Sequence, residues 1–140
     1  MTNWFKGTLV KELNGSDFDD NDPSVLRDDY RCAFVLFYAN WCGHCENLKP
    51  TYIKFADVAQ FIHVYAVNVD DNQTLIQGIN ESDSVFESDG SAAEIDGFPT
   101  VWMYKDGLPW EECIDCKSVN AMVREARRLC DENCECSESQ

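Results

Sequence analysis

Phe34-Val35-Leu36-Phe37-Tyr38-Ala39-Asn40-Trp41-Cys42-Gly43-His44-Cys45 decides how the rest of the chain is read. The run up to Ala39 is apolar, rich in aromatic and β-branched residues, and short enough to be a fully buried strand that stops at Asn40-Trp41. Cys42 and Cys45 follow at once, separated by Gly43 and His44, and a helical pattern then begins. Thiols three positions apart on the first turn of a helix are close enough to form a small, easily opened disulfide. The unpaired N–H groups and positive dipole end of that helix favour the thiolate of the first sulfur. This is the design of a redox site.

Working outward, Leu48, Tyr52, Phe55, Ala56 and Ala59 recur at helical spacing from Cys42 to about residue 60, with Pro50 expected to kink the helix. Ile62 to Asp70 reads as a strand apolar on both faces, interior to a sheet; His63 is expected as a partly exposed edge residue and not a ligand. Upstream, Thr8 to Leu13 reads as a first strand ended by Asn14-Gly15, Ser16-Asp17-Phe18 opens a short helix, and Asp22 to Arg27 forms a helical turn. Downstream, residues 73 to 94 hold the next helix, of which Thr74 to Ile79 makes a turn or two. The polar, acidic segment from Glu81 to Gly90 reads as an exposed loop. Thr100 to Tyr104, a turn at Lys105-Asp106-Gly107, and Pro109 to Cys116 read as an antiparallel hairpin. Ser118 caps a last helix with Val119, Met122, Val123, Ala126, Leu129 and Cys130 on one face and Arg124, Arg127 and Arg128 on the other.

The segment Phe37 to Cys45, with Trp41-Cys42-Gly43-His44-Cys45 at its centre, closely resembles the active-site segment of thioredoxin-fold proteins, in its protein disulfide isomerase variant. Gly97-Phe98-Pro99-Thr100-Val101 resembles the second signature of that family, where a cis-proline faces the disulfide. The resemblance implies an α/β thioredoxin fold, a central mixed sheet of four to five strands flanked by helices on both faces. The resemblance covers roughly residues 8 to 130 and makes 80–92 an insertion; the length of the chain gives one domain over 1–136, and 137–140 is expected to be a disordered tail. In this reading Cys42 is the nucleophile, Cys45 resolves the mixed disulfide, and His44, when protonated, stabilises the Cys42 thiolate. Gly43 lets the sulfurs approach, Trp41 gives an apolar platform, and Phe98, Pro99 and Thr100 border a groove for a substrate strand. The implied activity is dithiol–disulfide exchange with protein or peptide substrates, with glutathione or a redox protein as the other partner, by a monomer needing no cofactor or metal. A thioredoxin-like reductase and a non-catalytic client-binding module are the alternatives. Gly43-His44 argues against the first, and the presence of both cysteines against the second.

Two departures stand out. Leu36 occupies the place where isomerase domains carry a buried glutamate that takes the proton of the second cysteine, so resolution by Cys45 is expected to be slow. Glu46 stands where isomerases commonly have lysine; it supports the helix dipole but opposes a thiolate at Cys42.

A length of 140 residues, 44% hydrophobic and 12% aromatic, describes a globular domain with a substantial core. A formal charge of −15 excludes nucleic-acid or anionic-membrane binding through a basic patch. No stretch approaches the roughly 18 apolar residues of a membrane span. The eight cysteines and the sequons at Asn14, Asn72 and Asn80 point to the endoplasmic reticulum lumen, reached through a removed signal. A start without an apolar segment and the lack of a retention tetrapeptide point to the cytoplasm. Asp17, Asp19 and Asn21 faintly echo a calcium loop, but Asp22 stands where its glycine belongs, so a solvated acidic turn is expected.

Cys113 and Cys116 form a second Cys-x-x-Cys without a preceding Trp or a helix start, and a bond between them needs a bend in the strand. Cys130, Cys134 and Cys136 follow on the last helix. Three arrangements stay open: a clip from 113 or 116 to 130 or 134, free thiols, or a structural zinc site. Cys32, within the strand, is expected to be a small buried hydrophobe.

Overall fold

A computed structural model of the chain describes residues 4–138, with side chains described up to residue 130. Its elements are β1 (Lys11–Leu13), β2 (Cys32–Tyr38), α1 (Gly43–Val58), β3 (His63–Asn68), α2 (Gln73–Glu81), β4 (Thr100–Lys105), β5 (Leu108–Glu112) and α3 (Val119–Glu138). They build a five-stranded sheet in the order β1-β3-β2-β4-β5. β1, β3 and β2 run parallel, while β4 lies antiparallel to β2 and β5 antiparallel to β4.

β2 takes the centre because it alone offers seven consecutive buried side chains. The register divides them between two faces. Phe34, Leu36 and Tyr38 point towards α1, where Phe34 meets Phe55 with ring centroids 4.9 Å apart. Phe37 points the other way, with Thr100 and Trp102 on β4, and its ring stands edge-on to Trp102 at 5.2 Å. Cys32 shares the parity of Phe34, so its sulfur emerges on the α1 side, where α3 also packs. There it bonds Cys130 across a Cα–Cα distance of 6.0 Å. Cys32 is therefore not a lone buried hydrophobe, and no clip joins Cys113 or Cys116 to Cys130. Cys113 and Cys116 bond each other, Cα–Cα 5.5 Å, because β5 ends at Glu112 and the chain turns before Cys116. The side chains of Cys134 and Cys136 lie outside the described residues. Among the described residues no group of His, Cys, Asp and Glu is placed to hold a metal ion.

Local chemistry explains the element ends. Asp106 and Gly107 both have positive φ, 56° and 84°, which makes the two-residue turn between β4 and β5. Gly107 is also confined by packing, since a Cβ there would come within 3.1 Å of the Leu26 carbonyl. Ser118 Oγ accepts the Ala121 N–H at 3.1 Å and starts α3. The first strand is shorter than its apolar pattern suggests, and Gly15–Asp17 forms a 3-10 turn capped by Asn14. Asp17 and Asp19 spend their carboxylates on backbone N–H groups of Asn14 and Asn21, as turn residues do.

The segment after α2 departs most from expectation. It is not simply an exposed loop: Phe86, Ala93 and Ile95 are buried, and the Phe86 ring stands edge-on to Trp102 at 5.0 Å. The Glu87 and Ser88 N–H groups donate to the carbonyls of Pro109 and Trp110, covering the outer edge of β5. Asn80 holds both ends of the excursion together, donating to the Ile95 carbonyl at 2.9 Å and accepting the Ile95 N–H at 2.7 Å. Apolar anchors make this acidic stretch part of the sheet layer.

Candidate active site

β2 delivers the chain to the α1 N-terminus at the same end of the sheet where β4 begins. Cys42 is the N-cap of α1, and its Sγ accepts the Cys45 N–H at 3.1 Å. That is a side-chain cap made by sulfur, so negative charge on Cys42 meets an unpaired helix donor. Cys42 and Cys45 form a disulfide with a Cα–Cα distance of 5.2 Å. Cys42 is 5% exposed and Cys45 0%, so a partner reaches the first sulfur only. Gly43 and His44 sit exposed between them. A Cβ at Gly43 would meet nothing within 4 Å, so the fold itself does not require glycine there; the space is open to a docked chain.

Trp41 is 71% exposed, and its ring stands edge-on to Phe98 at 6.0 Å. The Phe98–Pro99 peptide is cis. Thr100 Oγ1 donates to the Gly97 carbonyl at 2.6 Å and pins the bend before β4. His44 and Pro99 share a cleft of about 510 Å³ that continues to Cys113 and Cys116. The structure thus brings Trp41, Cys42, His44, Phe98 and Pro99 to one end of the sheet, with Thr100 facing inward.

Sequence reasoning passed over the supports. The Asp70 carboxylate accepts the Asn40 N–H at 2.9 Å and the Trp41 indole N–H at 3.1 Å. Asn68 donates to Asn40 Oδ1 at 3.0 Å and accepts the Asp70 N–H at 2.9 Å. The signal was the polar run Asn68-Val69-Asp70-Asp71-Asn72 at the carboxyl end of a parallel strand, where open α/β sheets place their sites. Glu112 was also missed: burial, helped by Asp96, raises its carboxyl above the usual range on the wall of the cleft. Beneath the site Leu36 is fully buried, so no carboxylate from β2 reaches the second cysteine.

A disulfide-bonded cysteine pair at the helix start after the central strand, at the sheet end where a cis X-Pro bond precedes β4, is the arrangement of a thioredoxin-fold redox domain. The chain belongs to the thioredoxin family, whose model, Thioredoxin, matches residues 10–128. Among curated proteins it is 33% identical to the protein disulfide-isomerase of Saccharomyces cerevisiae, over 67% of this chain and 16% of that protein. It is 34% identical to protein disulfide-isomerase 5-2 of Arabidopsis thaliana, over 75% of this chain and 20% of that one. The chain therefore spans a fifth or less of these relatives' length. Among solved structures, the first two thioredoxin domains of Naumovozyma dairenensis Eps1p superpose with a TM-score of 0.65 at 21% identity, covering 87% of this chain and 41% of that one.

Proposed function

We propose that this chain is a dithiol–disulfide oxidoreductase of the protein disulfide isomerase kind, working as a single domain over residues 1–136. The observation that carries this reading is the Cys42–Cys45 disulfide with Cys42 Sγ at the helix N-cap, accepting the Cys45 N–H. A substrate thiolate attacks Cys42 Sγ, the Cys42–Cys45 bond breaks, and Cys45 leaves as a thiolate that takes up a proton. The second substrate thiol then releases the mixed disulfide, leaving an oxidised substrate and a reduced pair. His44, when protonated, stabilises charge on Cys42 and makes the disulfide more oxidising, because whatever favours the thiolate favours the reduced form. Trp41 with Phe98 forms the apolar platform, and Phe98 and Pro99 border the strand-binding groove, with Thr100 buried behind them and holding the bend. Asp70 is the positioning residue that fixes Asn40 and Trp41.

The substrates are cysteine-bearing proteins or peptides, glutathione serves as exchange partner, and the protein works as a monomer. The disulfides outside the site support an oxidising compartment, the endoplasmic reticulum lumen being the one the relatives' kind suggests. The test is oxidative refolding of a reduced, disulfide-containing protein. Cys42→Ser is expected to lower the rate by at least about 100-fold, and Cys45→Ala to accumulate the mixed disulfide on Cys42. Full activity in Cys42→Ser would instead identify a client-binding module.

A further inference from the structure

The second Cys-x-x-Cys is not remote from the first. Cys113 and Cys116 line the same cleft as His44 and Pro99, as do Glu112 and Lys117, which flank the pair in sequence. We propose that Cys113–Cys116 is a second thiol–disulfide exchange site, acting on cysteine thiols of a peptide held in the groove that the proposed function assigns to Cys42–Cys45.

Several observations carry it. Cys113 is 8% and Cys116 5% exposed, against 5% and 0% for the first pair, so the second disulfide is at least as open to attack. Cys32–Cys130, by contrast, spans 98 residues and ties β2 to α3, while Cys113–Cys116 spans 3 and joins no separate elements. A bond closing so short a loop restricts the unfolded chain far less than one closing 98 residues, so stability accounts for it less well. Ile114, between the two cysteines, is 69% exposed and leaves an apolar surface beside this pair. Lys117 lines the cleft beside Cys116. Glu112, whose carboxyl burial and Asp96 raise above its usual range, stands on the same wall.

The exchange balances without an outside oxidant for one turnover. A substrate thiolate bonds one sulfur of the pair, the Cys113–Cys116 bond breaks, and the displaced sulfur leaves as a thiolate that takes a proton from water. The second substrate thiol, its proton lost to solvent, attacks the mixed disulfide. The peptide gains a disulfide, the pair becomes a dithiol, and one electron pair has moved.

The unmodified chain is equilibrated in graded oxidised and reduced glutathione, alkylated, and digested for mass spectrometry. Cys113–Cys116 is expected to open at glutathione ratios where Cys32–Cys130 stays closed. A Cys42→Ser/Cys45→Ser variant is then mixed with a reduced peptide carrying two cysteines. It is expected to oxidise up to one equivalent of peptide, and further Cys113→Ser/Cys116→Ser substitution to abolish this. If Cys113–Cys116 is protected like Cys32–Cys130, or if the Cys42→Ser/Cys45→Ser variant oxidises no peptide, the proposal falls. The same spectra report Cys42–Cys45 separately, so exchange at the second pair alone would sustain this site while ending the reading of the first.

Discussion

Removing the Cys32–Cys130 bond by Cys32→Ala/Cys130→Ala is expected to weaken the fold far more than removing Cys113–Cys116. The first bond has a sequence separation of 98 and fastens the central strand to the last helix; the second has a separation of 3. In the chain-entropy relation a closed loop of about 100 residues is worth about 4.7 kcal/mol, and the same relation at about four residues gives roughly 2 kcal/mol. Cys32 and Cys130 are 3% and 7% exposed, so alanine also leaves a small void where the sulfurs packed. Allowing for structure retained by the unfolded chain, we expect a loss of roughly 3–5 kcal/mol for the first double variant and about 1–2 kcal/mol for Cys113→Ala/Cys116→Ala. The assay is urea unfolding followed by circular dichroism, with Cys42–Cys45 kept oxidised in all three proteins. The denaturant slope should also rise in Cys32→Ala/Cys130→Ala, because its unfolded chain exposes more surface once the large loop is opened. For a chain of this size the melting temperature should fall by roughly 10 °C or more. A loss below about 1 kcal/mol, or no larger than that of Cys113→Ala/Cys116→Ala, would refute the division between a structural and an exchangeable bond.

Three further outcomes follow from particular side chains. Phe86→Ala should destabilise the protein by about 3 kcal/mol in the same urea assay, because the ring is buried against Trp102; a change under about 0.5 kcal/mol would mean the insertion does not hold its place on the sheet. Burial raises the Glu12 carboxyl above its usual 4.5, although the Tyr38 hydroxyl, which donates to it, pulls the other way. Below pH 4.5 the group is protonated in both folded and unfolded chains. As pH rises the unfolded chain ionises first, so stability falls until the folded group has ionised too. Glu12→Gln should remove that fall, and an unchanged pH dependence between pH 4 and 7 would contradict it. Leu36→Glu places a carboxyl at a fully buried position, which should cost roughly 3 kcal/mol at neutral pH and less at pH 5. Among molecules that fold it should shorten the life of the mixed disulfide, and an unchanged lifetime in rapid-quench alkylation would show that Leu36 does not slow Cys45.

The centre of this fold is legible in the chain because its signals are local. An apolar run, a cysteine pair and a helical period fall in consecutive residues, and Asp106-Gly107 announces its own turn. What stayed hidden depends on pairings across the sheet. Cys32 and Cys130 meet only because Cys32 shares the parity of Phe34 and because α3 returns to the α1 side, neither of which is written near either cysteine. Phe86 is one ring in an acidic stretch, and its burial follows from Trp102 on β4 needing a partner. Asp70 is unremarkable until β3 lies beside β2 and carries its carboxylate to Asn40 and Trp41. The proximity of Cys113 to the first site likewise follows from the antiparallel return of β5, which brings the end of the hairpin back to where β4 began.

The proposed activity rests on how readily Cys42–Cys45 exchanges. The direct measurement is the reduction potential of that pair, from glutathione equilibration, alkylation and mass spectrometry of the peptide containing both cysteines. The account predicts a value near the roughly −180 mV of protein disulfide isomerase, with the pair opening and closing reversibly. A value near the roughly −270 mV of thioredoxin would make the protein a reductase and contradict it.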